Sequence, residues 1–469
     1  MPISAGRVFG FIEGVLSLII LAILSYLDKS SNPSNDELGE EVAKGTWNDP
    51  ALLELSSSNA AIAQDDLWSL DVREGDIVHK LLTLPDGLQL HYISPAKAEQ
   101  RRDLIIFLHG FPDSCFVWSR MLRSSLSEHA TLVALDLPGY GGSDGLPNYG
   151  PDCMLSAIEV AIKELKQQYG VNGAPKSNES RCIVVGHDWG GAIASRVAAE
   201  TEGLIDHLVL INSVFPPHAA GMVKGRIDRA RQLVSSRPQG WLRSARDEIG
   251  CVGSQLLKSH YIFLFNLPFF SARRFPSIMR YLLNWCYKKA SKHDGSLSST
   301  YAASLGPSVA QCHEEASKSV YSASVLARAM AQPDAIWDER IRLYRERLAS
   351  GRWTRASNSA HSPALPGRRY IRCPSTVLFG IRDEALDPSI FMEGIDDYVR
   401  PTSGYKGLAV SIQGVGHWSP LHPLGADVLE QVLTSHITAT KSGVKQLETV
   451  KDRLQGSSVL HKVSVREMK

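Results

Sequence analysis

The sequence predicts an α/β protein: a mostly parallel sheet covered on both faces, split by a helical insertion and preceded by one apolar helix. Three observations predict it. Short apolar, partly β-branched runs alternate with helical periodicity from Ile77 to Ile211, and the pattern resumes from Ser375 to Ser435. Between 216 and about 367 the alternation gives way to helical spacing, basic clusters and few strand-like runs. Ahead of both, Val8 to Leu27 is a mainly apolar run interrupted by one charge, Glu13.

Composition allows this and narrows it. The chain has 469 residues, 43% hydrophobic and 21% charged, with net charge +1. That suffices for one large core carrying insertions. Near-neutrality gives no electrostatic case for nucleic acid. Seven cysteines, at 115, 153, 182, 251, 286, 312 and 373, are scattered and fit neither a zinc spacing nor a disulfide framework, so they read as free thiols. No metal and no cofactor are expected, nor any obligate protein partner.

Val8 to Leu27 as a helix, at about 1.5 Å per residue, reaches roughly 30 Å, enough for a bilayer core. No small-x-small cleavage site follows it, since the chain continues Asp28-Lys29-Ser30-Ser31-Asn32-Pro33. The expectation is an uncleaved single-pass transmembrane anchor over residues 1–27, not a signal peptide. Residues 28–75, rich in Ser, Asn, Asp, Glu and Ala, read as a linker or a loosely attached extension. A first core segment, 76–215, opens with a hairpin, because Ile77–Leu84 and Leu88–Ser94 flank Pro85-Asp86-Gly87. Strands at Leu104–Leu108 and Thr131–Leu135 follow, then a helix over Asp152–Tyr169, then strands at Cys182–Val185 and His207–Ile211. The insertion, 216–367, is a helical cap. Within it Ile278, Leu282 and Trp285 share one helical face beside basic residues, which suits packing inside the cap or a membrane surface. The second core segment, 368–440, holds strands at Ser375–Phe379 and Leu408–Ile412 and a helix over Leu421–Ser435; 441–469 reads as a charged tail.

Chemistry is declared at Gly186-His187-Asp188-Trp189-Gly190-Gly191. An apolar strand precedes it and a small-residue helix, Ala192–Ala199, follows. Strand, glycine-flanked tight turn and helix are the context of a nucleophile elbow. The usual tip is serine; here it is Asp188. A carboxylate attacks an electrophilic sp³ carbon and forms an alkyl ester, which selects epoxides or alkyl halides over acyl compounds. A simple helix N-cap is the plainer use of aspartate, but glycines two before and two and three after it favour the elbow. The helix N-terminus is expected to keep the carboxylate ionised.

Three segments together resemble the epoxide hydrolase branch of the α/β-hydrolases: the elbow, His109-Gly110-Phe111-Pro112 after a strand, and Leu135-Asp136-Leu137-Pro138-Gly139-Tyr140-Gly141-Gly142-Ser143-Asp144. The resemblance runs from about Ile77 to Ser435 and is weakest over 216–367. It implies an α/β-hydrolase fold with Asp188 as nucleophile. His417, in Gly414-Val415-Gly416-His417-Trp418, would then activate the water that cleaves the ester. Asp383, four residues past Phe379, matches the acid that orients the histidine, with Glu384 and Asp387 as competitors. The N–H groups of Phe111 and Trp189 would form the oxyanion hole. Tyr261, seven residues before Pro268, and Tyr344, in Ile341-Arg342-Leu343-Tyr344-Arg345, resemble the family's paired cap tyrosines, which donate to the epoxide oxygen.

The resulting expectation is a membrane-anchored hydrolase that converts an apolar epoxide to a vicinal diol. A haloalkane dehalogenase would use the same Asp-His-Asp machinery, but Phe111 stands where it commonly has a halide-binding asparagine. A catalytically silent binding protein is the alternative outside enzymes. Unpaired cysteines suit a reducing compartment, so a cytosolic domain at the endoplasmic reticulum is expected. The sequon Asn178-Glu179-Ser180 is modified only in the opposite orientation.

Overall fold

A computed structural model describes residues 5–27, 58–70, 77–96, 101–171, 180–292, 297–313, 320–331, 333–354, 370–400, 407–438, 444–455 and 462–468. Asn178 lies outside them. The centre is a sheet in the order β1-β2-β4-β3-β5-β6-β7-β8-β9. Its strands are β1 Ile77–Thr83, β2 Gln89–Pro95, β3 Asp103–Leu108, β4 Ala130–Leu135, β5 Cys182–Asp188, β6 His207–Ser213, β7 Ser375–Gly380, β8 Leu408–Ile412 and β9 Val463–Glu467. From β4 through β8 neighbours are parallel, and β1, β2 and β9 add antiparallel pairings at the two edges. The fold class predicted from the alternation is the one observed.

Both sheet faces are buried, and residue parity divides them. Leu104, Ile106, Leu108 and Val184 point into one apolar core, while Ile105, Phe107, Ile183 and Val185 point into the other. This is why the inner strands read as continuous apolar runs without alternation. The helix α3, Pro151–Gln168, covers the first core with Leu155, Ile158 and Ile162. The helix α13, Pro423–Thr438, covers the second with Val428, Val432 and Leu433.

Helices fill the interval between β6 and β7. In order they include α5 Pro216–Ser236, α6 Trp241–Lys258, α7 His260–Phe265, α8 Pro276–Ala290, α9 Leu297–Leu305, α10 Ala323–Met330, α11 Pro333–Arg340 and α12 Arg342–Arg345. On α8, Ile278 is buried, while Leu282 and Trp285 line a cavity beside Asp188. That face therefore serves the cap interior.

Two segments differ from expectation. Within the supposed linker, the helix α2, Ser58–Trp68, docks on the cap: Trp68 is fully buried and its Nε1 donates to the Ala302 carbonyl of α9 at 3.0 Å. The supposed tail forms the helix α14, Val444–Gln455, and then β9, which extends the sheet against β8. The run Val463-Ser464-Val465 does alternate, but five residues among charges acquire strand character only when an edge accepts them. At the N-terminus, the helix α1, Ala5–Leu27, is long and apolar enough to cross a membrane.

Candidate active site

The parallel strands deliver their loops to one end of the sheet, and the candidate residues gather there. Asp188 ends β5 and begins the helix α4, Trp189–Glu200, with φ 48° and ψ −121°. A non-glycine residue in that region is strained and persists only when its surroundings fix it. Here the surroundings are glycines. A Cβ on Gly190 would lie 2.4 Å from the carbonyl oxygens of Leu108 and His109, and one on Gly191 would lie 2.2 Å from Ser213 Oγ. That hydroxyl donates to the Asp188 carbonyl at 2.6 Å. The turn is closed only because nothing larger than hydrogen occupies either position.

The Asp188 carboxylate receives the Phe111 N–H at 2.9 Å on Oδ2 and a second backbone hydrogen bond from Trp189. The residues expected to make an oxyanion hole thus already hold one of its oxygens. Burial pushes the Asp188 carboxyl above its ordinary range, and the His417 charge and these two N–H groups only partly offset it. The Trp189 N–H at the helix N-terminus does favour the ionised form, as expected, and burial works against it.

His417 follows β8, buried, with Nδ1 donating to Asp383 Oδ2 at 2.9 Å. Asp383 is held on every side: Oδ1 accepts from the Ala385 and Leu386 N–H groups at 2.7 and 2.8 Å, and Oδ2 accepts from Asn212 Nδ2 at 2.7 Å. Burial works against ionisation of Asp383, but His417 and these donors outweigh it and set its pKa below normal. The two competitors are occupied elsewhere. Asp387 caps a short helix and accepts from Ser254, while Glu384 accepts the His417 backbone N–H at 3.1 Å and pairs with Lys289. For His417, burial pulls the imidazole down, but Asp383, Asp188 and Asp113 outweigh it and raise it to about 9.

Two residues of this network went unread in the sequence. Asn212, at φ 40° near the end of β6, supports Asp383 and accepts from the Gly380 N–H at 3.1 Å. Asp113, just past Phe111 and Pro112, accepts from Trp418 Nε1 at 3.2 Å, and burial raises its pKa to about 7. The position of Asp113 after the His-Gly-Phe-Pro motif was its only signal. His109 and His187 bind backbone: His109 Nε2 accepts from the Leu137 N–H at 3.0 Å, and His187 Nε2 donates to the His417 carbonyl at 3.0 Å.

Tyr261 on α7 and Tyr344 on α12 are brought together over Asp188. Their ring centroids lie 5.9 Å apart, and Tyr344 packs edge-on against Trp189 at 5.0 Å and Phe111 at 5.5 Å. Burial raises both phenols above their ordinary value, and the nearby Asp188 charge adds to it. Asp188, Trp189, Tyr261 and Tyr344 line one end of a cavity of about 980 Å³, walled mainly by apolar residues such as Val214, Val223, Ile262 and Leu386. Lys224, Asp228 and Arg231 also line it. A smaller cavity of about 40 Å³ joins Asp188, Tyr261 and His417 beside Trp285 and Cys286.

Among the described residues, one group of potential metal ligands lies close together: His91, Cys115 and Asp136. Its geometry is that of hydrogen bonding. His91 Nδ1 donates to Asp136 at 2.7 Å, and Asp136 also accepts the Cys115 and Gly142 N–H groups, fixing the loop after β4. Burial keeps the Cys115 thiol protonated.

Comparison with known proteins gives concordant similarities. The chain is 31% identical to epoxide hydrolase 3 of Xenopus tropicalis over 40% of its length and 42% of that protein's. It is 31% identical to human epoxide hydrolase 4 over 39% of its length and 40% of that protein's. The chain thus matches less than half the length of these relatives. Among solved structures, the Cif epoxide hydrolase from Acinetobacter nosocomialis shares the fold, with a TM-score of 0.53 at 16% identity over 84% of this chain and 98% of that one. The alpha/beta hydrolase family model matches residues 105–426, which is more than half of the sequence, and the chain belongs to that family.

Proposed function

We propose that this chain adds water to apolar epoxides, giving vicinal diols through an ester on Asp188. The observation that carries this is a carboxylate at the elbow tip, held by the Phe111 N–H, sharing an apolar cavity with two partly buried tyrosines. Serine at that tip would suit acyl transfer; a carboxylate facing phenol donors suits opening of a strained ether. The similarity to proteins named epoxide hydrolases supports the same reading.

In the first step an Asp188 oxygen attacks an epoxide carbon, and that carbon's bond to the ring oxygen breaks. The oxygen takes a proton from Tyr261 or Tyr344, whose raised pKa values keep them protonated until an alkoxide forms. The product is an ester with a free hydroxyl on the neighbouring carbon. In the second step His417 removes a proton from water, and the oxygen attacks the ester carbonyl carbon. The Phe111 and Trp189 N–H groups hold the resulting oxyanion. Collapse expels the diol, whose leaving oxygen takes the proton of the new carboxyl group; this restores the Asp188 carboxylate and leaves the water-derived proton on His417, its resting state.

Electrostatics time the two steps. In the resting site the Asp188 charge helps to raise the imidazole to about 9, so His417 is a cation beside its nucleophile. Esterification neutralises Asp188 and removes that contribution. The imidazole pKa falls, its proton passes to the tyrosinate left by the first step, and the group becomes a base when a base is needed.

We further propose that α1 anchors the chain in the endoplasmic reticulum membrane with the catalytic domain cytosolic. Its length and apolarity support an anchor, and seven unpaired cysteines support the side.

A panel of aromatic, terpenoid and fatty epoxides beside haloalkanes tests the activity. Diol formation is expected, and Tyr261→Phe with Tyr344→Phe should slow alkylation by roughly 10²-fold or more. Halide release without any diol would make the chain a dehalogenase instead.

A further inference from the structure

Helix α1 is turned inside out for a helix that meets water. Its buried line is Gly14, Ser17, Leu21 and Ser25, with Gly10 half-buried, and this side faces the cap. The opposite side carries Ile12, Leu16, Ile19, Ile20 and Ile23, each between 48% and 54% exposed. A water-soluble amphipathic helix would place these apolar residues inward. Small residues, with Leu21 and the partly buried Val15 and Leu18 beside them, toward protein and bulky apolar ones away from it is an arrangement seen in helices packed in lipid.

The small face is fitted mainly to one element of the cap, with α8 also packed against α1. A Cβ on Gly14 would lie 2.7 Å from the Phe263 carbonyl oxygen and 2.8 Å from Leu267 Cδ2, so the approach requires glycine. Ser17 Oγ donates to the His260 carbonyl at 3.1 Å, and the Phe9 ring meets Phe263 edge-on at 6.1 Å. Phe11 reaches Phe269 at 6.5 Å. The element is α7, which carries Tyr261. Its other side lines the substrate cavity through Tyr261 and Ile262. One short helix thus separates α1 from the cavity. On either side of it in the chain, Leu257 is 77% and Phe269 37% exposed.

We propose that α1 stays docked on the cap through this small face. Its bare face, together with Leu257 and Phe269, seats the enzyme in the acyl chains of a bilayer. The anchor is then part of the active-site roof and not a tether, and α7 is the partition between lipid and cavity. An apolar epoxide dissolved in the bilayer gathers against that partition. Glu13, the one charge in the apolar run, is half-buried between the two faces, so docking spares it full immersion. The proposal rests on the membrane reading of α1, and its test uses no epoxide turnover.

The full-length chain is reconstituted in phosphatidylcholine vesicles with the partly exposed Cys153, Cys251 and Cys286 replaced by serine. An environment-sensitive fluorophore is attached in turn at Ile19→Cys, Leu257→Cys, Phe269→Cys and, in the exposed hairpin turn, Asp86→Cys. Doxyl-labelled lipid should quench the first three and leave the fourth unchanged. A separate Gly10→Cys, Phe263→Cys pair, positions where a Cβ on residue 10 lies 3.9 Å from the Phe263 ring, should join through a short thiol cross-linker in the same vesicles. Quenching at Ile19 alone, or no cross-link, would make α1 a tether and overturn the proposal while leaving the anchor intact. An unquenched Ile19 would remove the anchor as well.

Discussion

His417 stands among three carboxylates, and most of the site's behaviour follows from that charge balance. Its imidazole is raised from 6.5 to about 9, so its contribution to stability is complete below about pH 6.5 and is lost as pH rises through about 9. The size is on the order of 3 kcal/mol by linkage, drawn from its pairing with anions. His417→Gln should therefore flatten the alkaline fall in stability measured by thermal melts between pH 6.5 and 9. The same substitution should leave alkylation possible and slow ester hydrolysis by about 10²–10⁴-fold, so an enzyme-plus-substrate mass accumulates. It also removes the cation that lowers Asp188, so the acid limb of the alkylation rate should move to higher pH. For Asp383, loss of charge frees the imidazole to turn. Asp383→Asn should reduce turnover by roughly 10³-fold, whereas Asp387→Asn, which keeps an acceptor at a helix N-cap, should leave turnover and stability close to wild type. The reverse ranking of turnover would transfer the acid role to Asp387.

At the scale of elements, legibility tracked locality. The elbow, the hairpin and the inner strands are written in contiguous residues, because glycine spacing, turn chemistry and continuous apolar runs act over a few positions. Asp188, Asp383 and His417 stood out because each follows a strand in a recognisable loop. Asn212 and Asp113 did not, since their roles depend on partners 171 and 305 residues away along the chain. The same holds for α2 and β9. Residues 58–68 are weakly amphipathic, and only docking of Trp68 beneath the cap gives them a place. Trp68 packs edge-on against Phe116 at 5.0 Å and bonds to Ala302, so it joins the extension, core and cap. Trp68→Ala should destabilise the protein by about 3–5 kcal/mol, read as a lowered denaturation midpoint. A loss below about 1 kcal/mol would show that the extension contributes little to the fold.

For the molecule as a whole, the sheet supplies the rigid floor and the cap supplies the roof. The floor holds Asp188, Asp383 and His417 on loops from β5, β7 and β8. The roof lowers Tyr261 and Tyr344 onto them from helices at the start and end of the insertion. Helical spacing marked 216–367 as an insertion but could not say how its helices pack, because their partners lie far away along the chain. All of this chemistry depends on one claim, that the Asp188 carboxylate is itself the nucleophile. A single turnover with enzyme in excess, run in ¹⁸O-labelled water on an epoxide found in the substrate panel, tests it directly. Attack by Asp188 followed by hydrolysis at its carbonyl carbon leaves the solvent oxygen in the enzyme, so the Asp188 peptide should gain label and the first diol should carry none. Label in the diol and none in that peptide would mean that water attacks the epoxide directly, and would contradict the account.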